Sequence, residues 1–319
     1  MAGMDCLGKY IVGGVGQWVH FAGRDLSNPV LVFLHGGPGL PLFPMRRMLK
    51  QHTGLEDLFT VVYWEQRGTG KSLCRNIPPE SMTIEQFVSD VVDVAELARG
   101  QFGVERVFLL GHSWGSIIGV LAACRRPDLF HAYIGVGQVV HMLEGDLCSY
   151  YWARRRAQEQ RSDRAQQDLE KIGPPPYSVK ALIKERAWVQ KFGGLRRDEG
   201  FSVAKTFIDC IRTPQYTLLD VLRMARHQFF SLEHLLGQMY DVDLFKQAPR
   251  LHVPVFFLEG RHDFAAPSEL AESYHAGLEA QAKRLIWFEN SAHYPFFEEP
   301  QRFREILRND ITSIAVRTT

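Results

Sequence analysis

The sequence predicts an α/β fold: a mostly parallel sheet with helices on both faces and one large helical insertion. Three observations predict it. Short apolar runs at residues 30–34, 59–64, 106–110 and 132–136 are separated by loops and helical stretches. Residues 138–250 read as helices with no convincing buried strand. Strand character then returns at 253–258 and 284–288, each run followed by a loop and a helix. The core is thus expected from residues 1–137 and 251–319, and the insertion from 138–250.

In chain order, residues 9–12 and 17–21 flank Gly13-Gly14 and read as an antiparallel hairpin. Residues 25–29 form a turn cluster. Val30–Leu34 is apolar throughout, as in a strand buried on both faces. It ends in His35-Gly36-Gly37-Pro38-Gly39, where three glycines leave backbone N–H groups open to a ligand. The strand at 59–64 leads into a Gly-rich loop, residues 65–72. That loop lacks the spacing of a phosphate-binding P-loop, so a nucleotide site is rejected. Thr83 followed by Gln86 reads as a capping box. Ile84, Phe87, Val88, Val91, Val94, Ala95 and Ala98 follow at helical spacing.

Within the insertion, residues 147–172 read as one long surface helix stopped by Gly173-Pro174-Pro175-Pro176. Further helices are expected at 178–192, 202–211, 217–230 and 232–245. The Arg154-Arg155-Arg156 run reads as a solvated helix face. After it, residues 267–276 and 300–311 read as helices of the core.

The chemistry centres on Gly111-His112-Ser113-Trp114-Gly115, between an apolar strand and a helical run. That is the strand, sharp turn, helix setting of a Gly-x-Ser-x-Gly nucleophile elbow. A serine hydroxyl needs a base within reach, and the base needs an orienting carboxylate. Loops after later strands carry Asp263 and His293, giving the chain order Ser, Asp, His. Strand carboxyl ends share one edge of such a sheet, so residues distant in sequence can meet there. Ser113 is assigned as nucleophile, His293 as base and Asp263 as its orienting acid. The backbone N–H groups of Trp114 and Gly37 are the expected oxyanion donors. Glu259 is still in strand register, which favours Asp263 as the acid. Of the other histidines, His112 is expected to point to the far side of the elbow, His35 to brace the glycine loop and His262 to be partly exposed.

Composition narrows the function classes. The 319 residues are 45% hydrophobic and 23% charged, with a net charge of +1. That balance argues against nucleic acid or anionic membrane as a partner, and no apolar stretch reaches a membrane span. The expected partner is a small molecule or short peptide, and the oligomeric state is left open. The five cysteines show no metal-ligand or redox spacing. With no secretory signal in sight, free thiols and a cytoplasmic location are expected. No metal and no organic cofactor are implied.

Taken together, the His35-Gly36-Gly37-Pro38-Gly39, Gln66-Arg67-Gly68-x-Gly70-x-Ser72, Gly111-x-Ser113-Trp114-Gly115, Gly260-x-x-Asp263 and His293 motifs resemble the α/β-hydrolase superfamily. Within it they resemble the proline iminopeptidase-like serine hydrolases. The resemblance covers most of the chain outside 138–250. It implies an eight-stranded α/β-hydrolase sheet, the same triad and oxyanion loop, and an insertion that acts as a cap over the site. Two departures stand out. Glu65 replaces the Asp usual before Gln-Arg-Gly. Cap carboxylates hold the free amine in iminopeptidases, yet none of Glu144, Asp146, Glu185, Asp209 and Glu233 can be matched to that role. Gly36, Glu144, Trp188 and Phe229 are the candidate substrate contacts.

The leading expectation is a serine hydrolase acting on a small ester, amide or short peptide through an acyl-enzyme. An N-terminal-proline aminopeptidase is the alternative within that class, and lactone or carbon–carbon bond hydrolysis is open to the same triad. Epoxide hydrolases and dehalogenases resemble the chain less, because they place Asp where Ser113 stands. A ligand-binding receptor on a hydrolase fold is the alternative of another class.

Overall fold

A computed structural model of the protein describes residues 3–73, 77–197 and 212–314. Eight strands form one sheet: β1 (Met4–Val12), β2 (Val15–Gly23), β3 (Val30–Leu34), β4 (Thr60–Glu65), β5 (Val107–His112), β6 (Phe130–Val136), β7 (Val255–Gly260) and β8 (Lys283–Phe288). Their spatial order is β1-β2-β4-β3-β5-β6-β7-β8. Strands β3 to β8 pair in parallel, while β1–β2 and β2–β4 pair antiparallel. The hairpin is longer than its apolar runs. Its register continues from Val12↔Val15 out to Met4↔Gly23, through half-exposed residues that carry little hydrophobic signal.

Side-chain alternation splits the core into two layers. In β3, Val30, Val32 and Leu34 face one cluster, while Leu31 and Phe33 face the other. The first layer packs against α2 (Ile84–Phe102) and α3 (Trp114–Arg125). The second packs against α1 (Phe43–Thr53) and the C-terminal helix that begins at Pro300. Helix α1 was not foreseen: its mean hydropathy is low and its N-cap side chain makes no hydrogen bond.

Between β6 and β7 lie α4 (Met142–Glu159), α5 (Asp163–Ile172), α6 (Val179–Lys191) and α7 (Leu218–Met239). Tyr150, Ala153, Ala157, Ala165, Leu169 and Val189 give α4, α5 and α6 a small core of their own. The structure corrects two sequence readings here. The long helix at 147–172 is two helices, broken where Arg161 adopts a φ of 51° and Ser162 caps α5 by accepting from Ala165 N–H. The pair at 217–230 and 232–245 is instead one helix, α7, followed by the short helix Leu244–Gln247. Ser231 lacks any helix-breaking character and its hydroxyl donates to Gly68 O at 3.3 Å. The helix expected at 202–211 lies outside the described residues.

After β7 come α8 (Ser268–Gly277) and, closing the chain, α9 (Pro300–Ile306), which runs on into one wider π turn. At Thr83 only half of the capping box forms. Thr83 Oγ1 accepts from Gln86 N–H, but the Gln86 side chain donates to Asp90 instead.

Asp90 is the centre of a buried polar knot between α2 and the loop after β4. Its carboxylate accepts from Arg67 Nε and Nη2 at 2.8 and 2.9 Å, from Gln17 Nε2 at 2.8 Å and from Gln86 Nε2 at 2.9 Å. Both Asp90 and Arg67 are fully buried. Removing one member leaves an uncompensated charge in the core. Asp90→Ala should therefore cost about 3–5 kcal/mol of stability. Urea denaturation of the two proteins checks this, and a loss below about 1 kcal/mol would contradict it.

Candidate active site

Strand β5 runs straight into α3, and Ser113 is the single residue between them. It has φ 56° and ψ −124°, a conformation that costs a non-glycine residue of order 1–3 kcal/mol. The neighbourhood holds it there. Ser113 N–H donates to Val136 O at 3.1 Å, and Ser113 O accepts from Ser116 N–H at 2.8 Å and from Ser116 Oγ–H at 2.6 Å. Space is short on the far side: a Cβ at Gly115 would lie 2.3 Å from Leu34 O. Only glycine lets α3 pass β3 at that distance.

The loop after β7 carries Asp263 and the loop after β8 carries His293. His293 Nδ1–H donates to Asp263 Oδ2 at 2.6 Å. The second oxygen, Asp263 Oδ1, accepts from Ala265 and Ala266 N–H, both at 2.9 Å, which fixes the carboxylate plane. The two side chains are almost fully buried. Each loop is also tied to the segment that follows α6. Phe264 N–H donates to Gly194 O at 2.8 Å and His293 N–H to Leu195 O at 3.0 Å.

The glycine loop after β3 packs against the elbow. Gly37 has φ 127°, and a Cβ there would meet Gly39 N at 2.6 Å. His35 Nδ1–H donates to Gly36 O at 2.9 Å, and its Nε2 accepts from Gln66 N–H at 3.2 Å. Gln66 completes the brace. Its Nε2 donates to His35 O at 3.1 Å and its Oε1 accepts from Trp114 Nε1–H at 2.8 Å.

A cavity of about 350 Å³ opens over these loops. Gly36, Gly37, Ser113, Trp114 and His293 form its floor, and Leu182, Ile183, Arg186, Phe229 and Leu232 line it from α6 and α7. Of the residues expected to touch substrate, Gly36 and Phe229 line it. Glu144 and Trp188 do not. Glu144 is exposed in the first turn of α4, and Trp188 faces an outer groove beside Lys184 and Lys191. Helical rotation explains the miss: Arg186, two residues before Trp188, points inward instead.

Residues 29–300 match the family model described as alpha/beta hydrolase fold. The chain belongs to that family. This hydrolase is 34% identical over 298 residues to the probable aminopeptidase YbaC of Bacillus subtilis (strain 168), covering 93% of each chain. It is 24% identical over 319 residues to a proline iminopeptidase of Heyndrickxia coagulans, covering 95% of this chain and 97% of that one. The crystal structure of a Mycobacterium smegmatis proline iminopeptidase superposes with a TM-score of 0.70 at 18% identity, covering 98% of this chain and all of that one.

Around this candidate site, burial shifts the charge states. Burial pushes the Glu259 carboxyl well above its ordinary range, and the nearby Asp263 adds to the shift. That shift favours its protonated form, and its carboxyl accepts from Gln138 N–H at 3.1 Å. Burial likewise lowers His35 to about 4 and His112 well below the ordinary histidine value. His112 does not point away from the site. Its ring centroid lies 4.8 Å from that of His293, and its Nε2–H donates to His293 O at 3.0 Å. Among the described residues, no cluster of three or more His, Cys, Asp or Glu could hold a metal ion, and no helix is long and apolar enough to cross a membrane.

The neutral histidines give a pH dependence. In the unfolded chain His35 and His112 bind protons below about pH 6.5, whereas the folded protein holds them neutral to lower pH. The unfolded state then binds more protons, so stability falls as pH drops below about 6.5. Urea midpoints at pH 7.5 and 5 should show that decline, and His35→Gln should lessen it.

Proposed function

We propose that this hydrolase cleaves small esters, amides or short peptides through an acyl-enzyme on Ser113. One observation carries the reading. Ser113, strained on its elbow, lines the same cavity as His293, whose Nδ1 is held by the fixed carboxylate of Asp263. That hydrogen bond leaves Nε2 as the proton acceptor of the neutral ring. Ser113 Oγ attacks the carbonyl carbon as its proton passes to His293. The imidazolium, stabilised by Asp263, returns that proton to the leaving alcohol or amine as the carbon–oxygen or carbon–nitrogen bond breaks. Water repeats the sequence on the acyl-enzyme, and the acid leaves.

The tetrahedral oxyanion would be held by the N–H groups of Trp114 and Gly37. Trp114 begins α3, so its N–H has no acceptor within the helix. Gly37 offers a backbone without a side chain to block approach. Helices α4 to α7 serve as the cap in this reading, because α6 and α7 supply the apolar walls of the cavity. The 34% identity to a protein named a probable aminopeptidase supports a second reading, cleavage at a free N-terminus.

The test pairs a prolyl arylamide with its N-blocked twin, beside short-chain aryl esters. Ser113→Ala should lower kcat at least about 10⁴-fold, and Asp263→Asn about 10³–10⁴-fold, on any substrate that turns over. Circular dichroism confirms that the variants fold. Retention of most activity in Ser113→Ala would overturn the mechanism. Turnover of the free-amine arylamide alone would establish the aminopeptidase reading.

A further inference from the structure

The acyl-enzyme reading gives no task to Arg186, the one Arg among the described residues that line the cavity. Arg186 lies on α6 beside Leu182 and Ile183 and keeps 20% of its side chain exposed. No Asp, Glu or Lys occurs among the described lining residues. Two carboxylates lie close by, but both are buried behind the guanidinium. Asp146 Oδ1 accepts from Arg186 Nη2 and Glu185 Oε2 from Nη1. Their other oxygens are taken as well, Asp146 Oδ2 by Tyr240 O–H at 2.8 Å and Glu185 Oε1 by Ser149 O–H at 2.9 Å.

A guanidinium carries five N–H donors. Arg186 spends Nη1 on Glu185 and, at 3.1 Å, on Ser149 Oγ, and one Nη2–H on Asp146. Its Nε–H and the second Nη2–H have no protein partner among the described residues. The group is thus fixed from behind, with free donors on a side chain that reaches the cavity. Among the described lining residues a substrate ammonium would meet a cation and no free carboxylate. A substrate carboxylate would meet preorganised, charge-assisted donors that lose little entropy on binding.

We infer that Arg186 is a specificity-determining residue that anchors a carboxylate, so that the substrate is an apolar chain with an anionic end and carries no free amine at this position. The inference rests on the hydrolase reading above and narrows its substrate class.

The test uses 4-nitrophenyl esters in three matched series: monoesters of the succinic to suberic diacids, simple alkanoates of equal length, and ω-aminoalkanoates. In the wild type, kcat/KM for the best diacid monoester should exceed that of its neutral match at least tenfold, with the difference in KM, and the aminoalkanoates should be poorest. Arg186→Met, made with Asp146→Asn and Glu185→Gln so that no lone carboxylate is buried, should bring the anionic-to-neutral ratio to about one. Arg186→Lys should keep part of it. The ratio cancels any general loss of folding or rate. A wild-type ratio near one, a preference for the cationic series, or a ratio unchanged in Arg186→Met would each overturn the inference while leaving a Ser113-dependent esterase intact. If the wild type turns over no ester, the esterase part of the reading above fails. Calorimetric binding of the free diacids against the matching neutral amides to Ser113→Ala then decides the anion site on its own. Tighter diacid binding that Arg186→Met abolishes supports it, and equal binding overturns it.

Discussion

The close passage of α3 beneath the end of β3 is the constraint on which the site depends. Leu34 O, Gly115 and Gly111 meet at distances that leave no room for a Cβ. That contact fixes where β5 must stop and where the helix must start, and Ser113 is left at the corner in a conformation it would not choose alone. The strain is local, while the forces that oppose it are spread across the sheet. Strands β3, β5 and β6 pair in register up to the same edge, and Ser113 N–H is anchored to the last residue of β6. A shift of one residue in any of those pairings would turn buried side chains to the opposite layer. The geometry at Ser113 is therefore as well determined as the core itself.

A second layer of organisation is polar and lies just beneath the loops. Gln66 joins the glycine loop to Trp114, and Arg67 beside it is sunk into the Asp90 knot. Gln66 thus braces the two segments proposed to supply oxyanion donors, and Arg67 anchors its loop in the core, neither of them lining the cavity. On the other side, two carboxyl groups four residues apart are driven to different roles by their surroundings. Glu259, buried in β7, has its carboxyl pushed well above the ordinary range. Asp263, past the strand end, receives two backbone N–H bonds and the His293 ring. Burial and the neighbouring Asp263 act on the first carboxyl, while hydrogen bonds orient the second.

The fold class and the loops of the site were legible because both are written in local signals. Continuous apolar runs mark strands covered on both faces, and glycine spacing marks the turns where backbones pass closely. The meeting of Asp263 with His293 could be anticipated because strand ends share an edge. The cavity walls were much less legible. Which face of α6 turns inward depends on how α4, α5 and α7 pack around it, and neighbouring polar residues give no hint. Trp188 carries the larger apolar signal, yet Arg186 lines the cavity because two buried carboxylates draw it inward. The break at Arg161 was missed for a related reason: an arginine at positive φ has no sequence signature, and the capping Ser162 sits in a polar run where serine is unremarkable. His112 was misjudged because the elbow was considered without the loop that closes over it.

The hydrogen bonds from Phe264 and His293 to Gly194 and Leu195 make the helical insertion part of the machinery beneath it. Any movement that lifts the end of α6 away from the sheet must break a backbone bond to the very residue proposed as base. The backbone of His293 is thus gripped from two sides, its N–H by the segment after α6 and its carbonyl by His112 on the elbow, so the placement of its ring is shared between the sheet and the insertion.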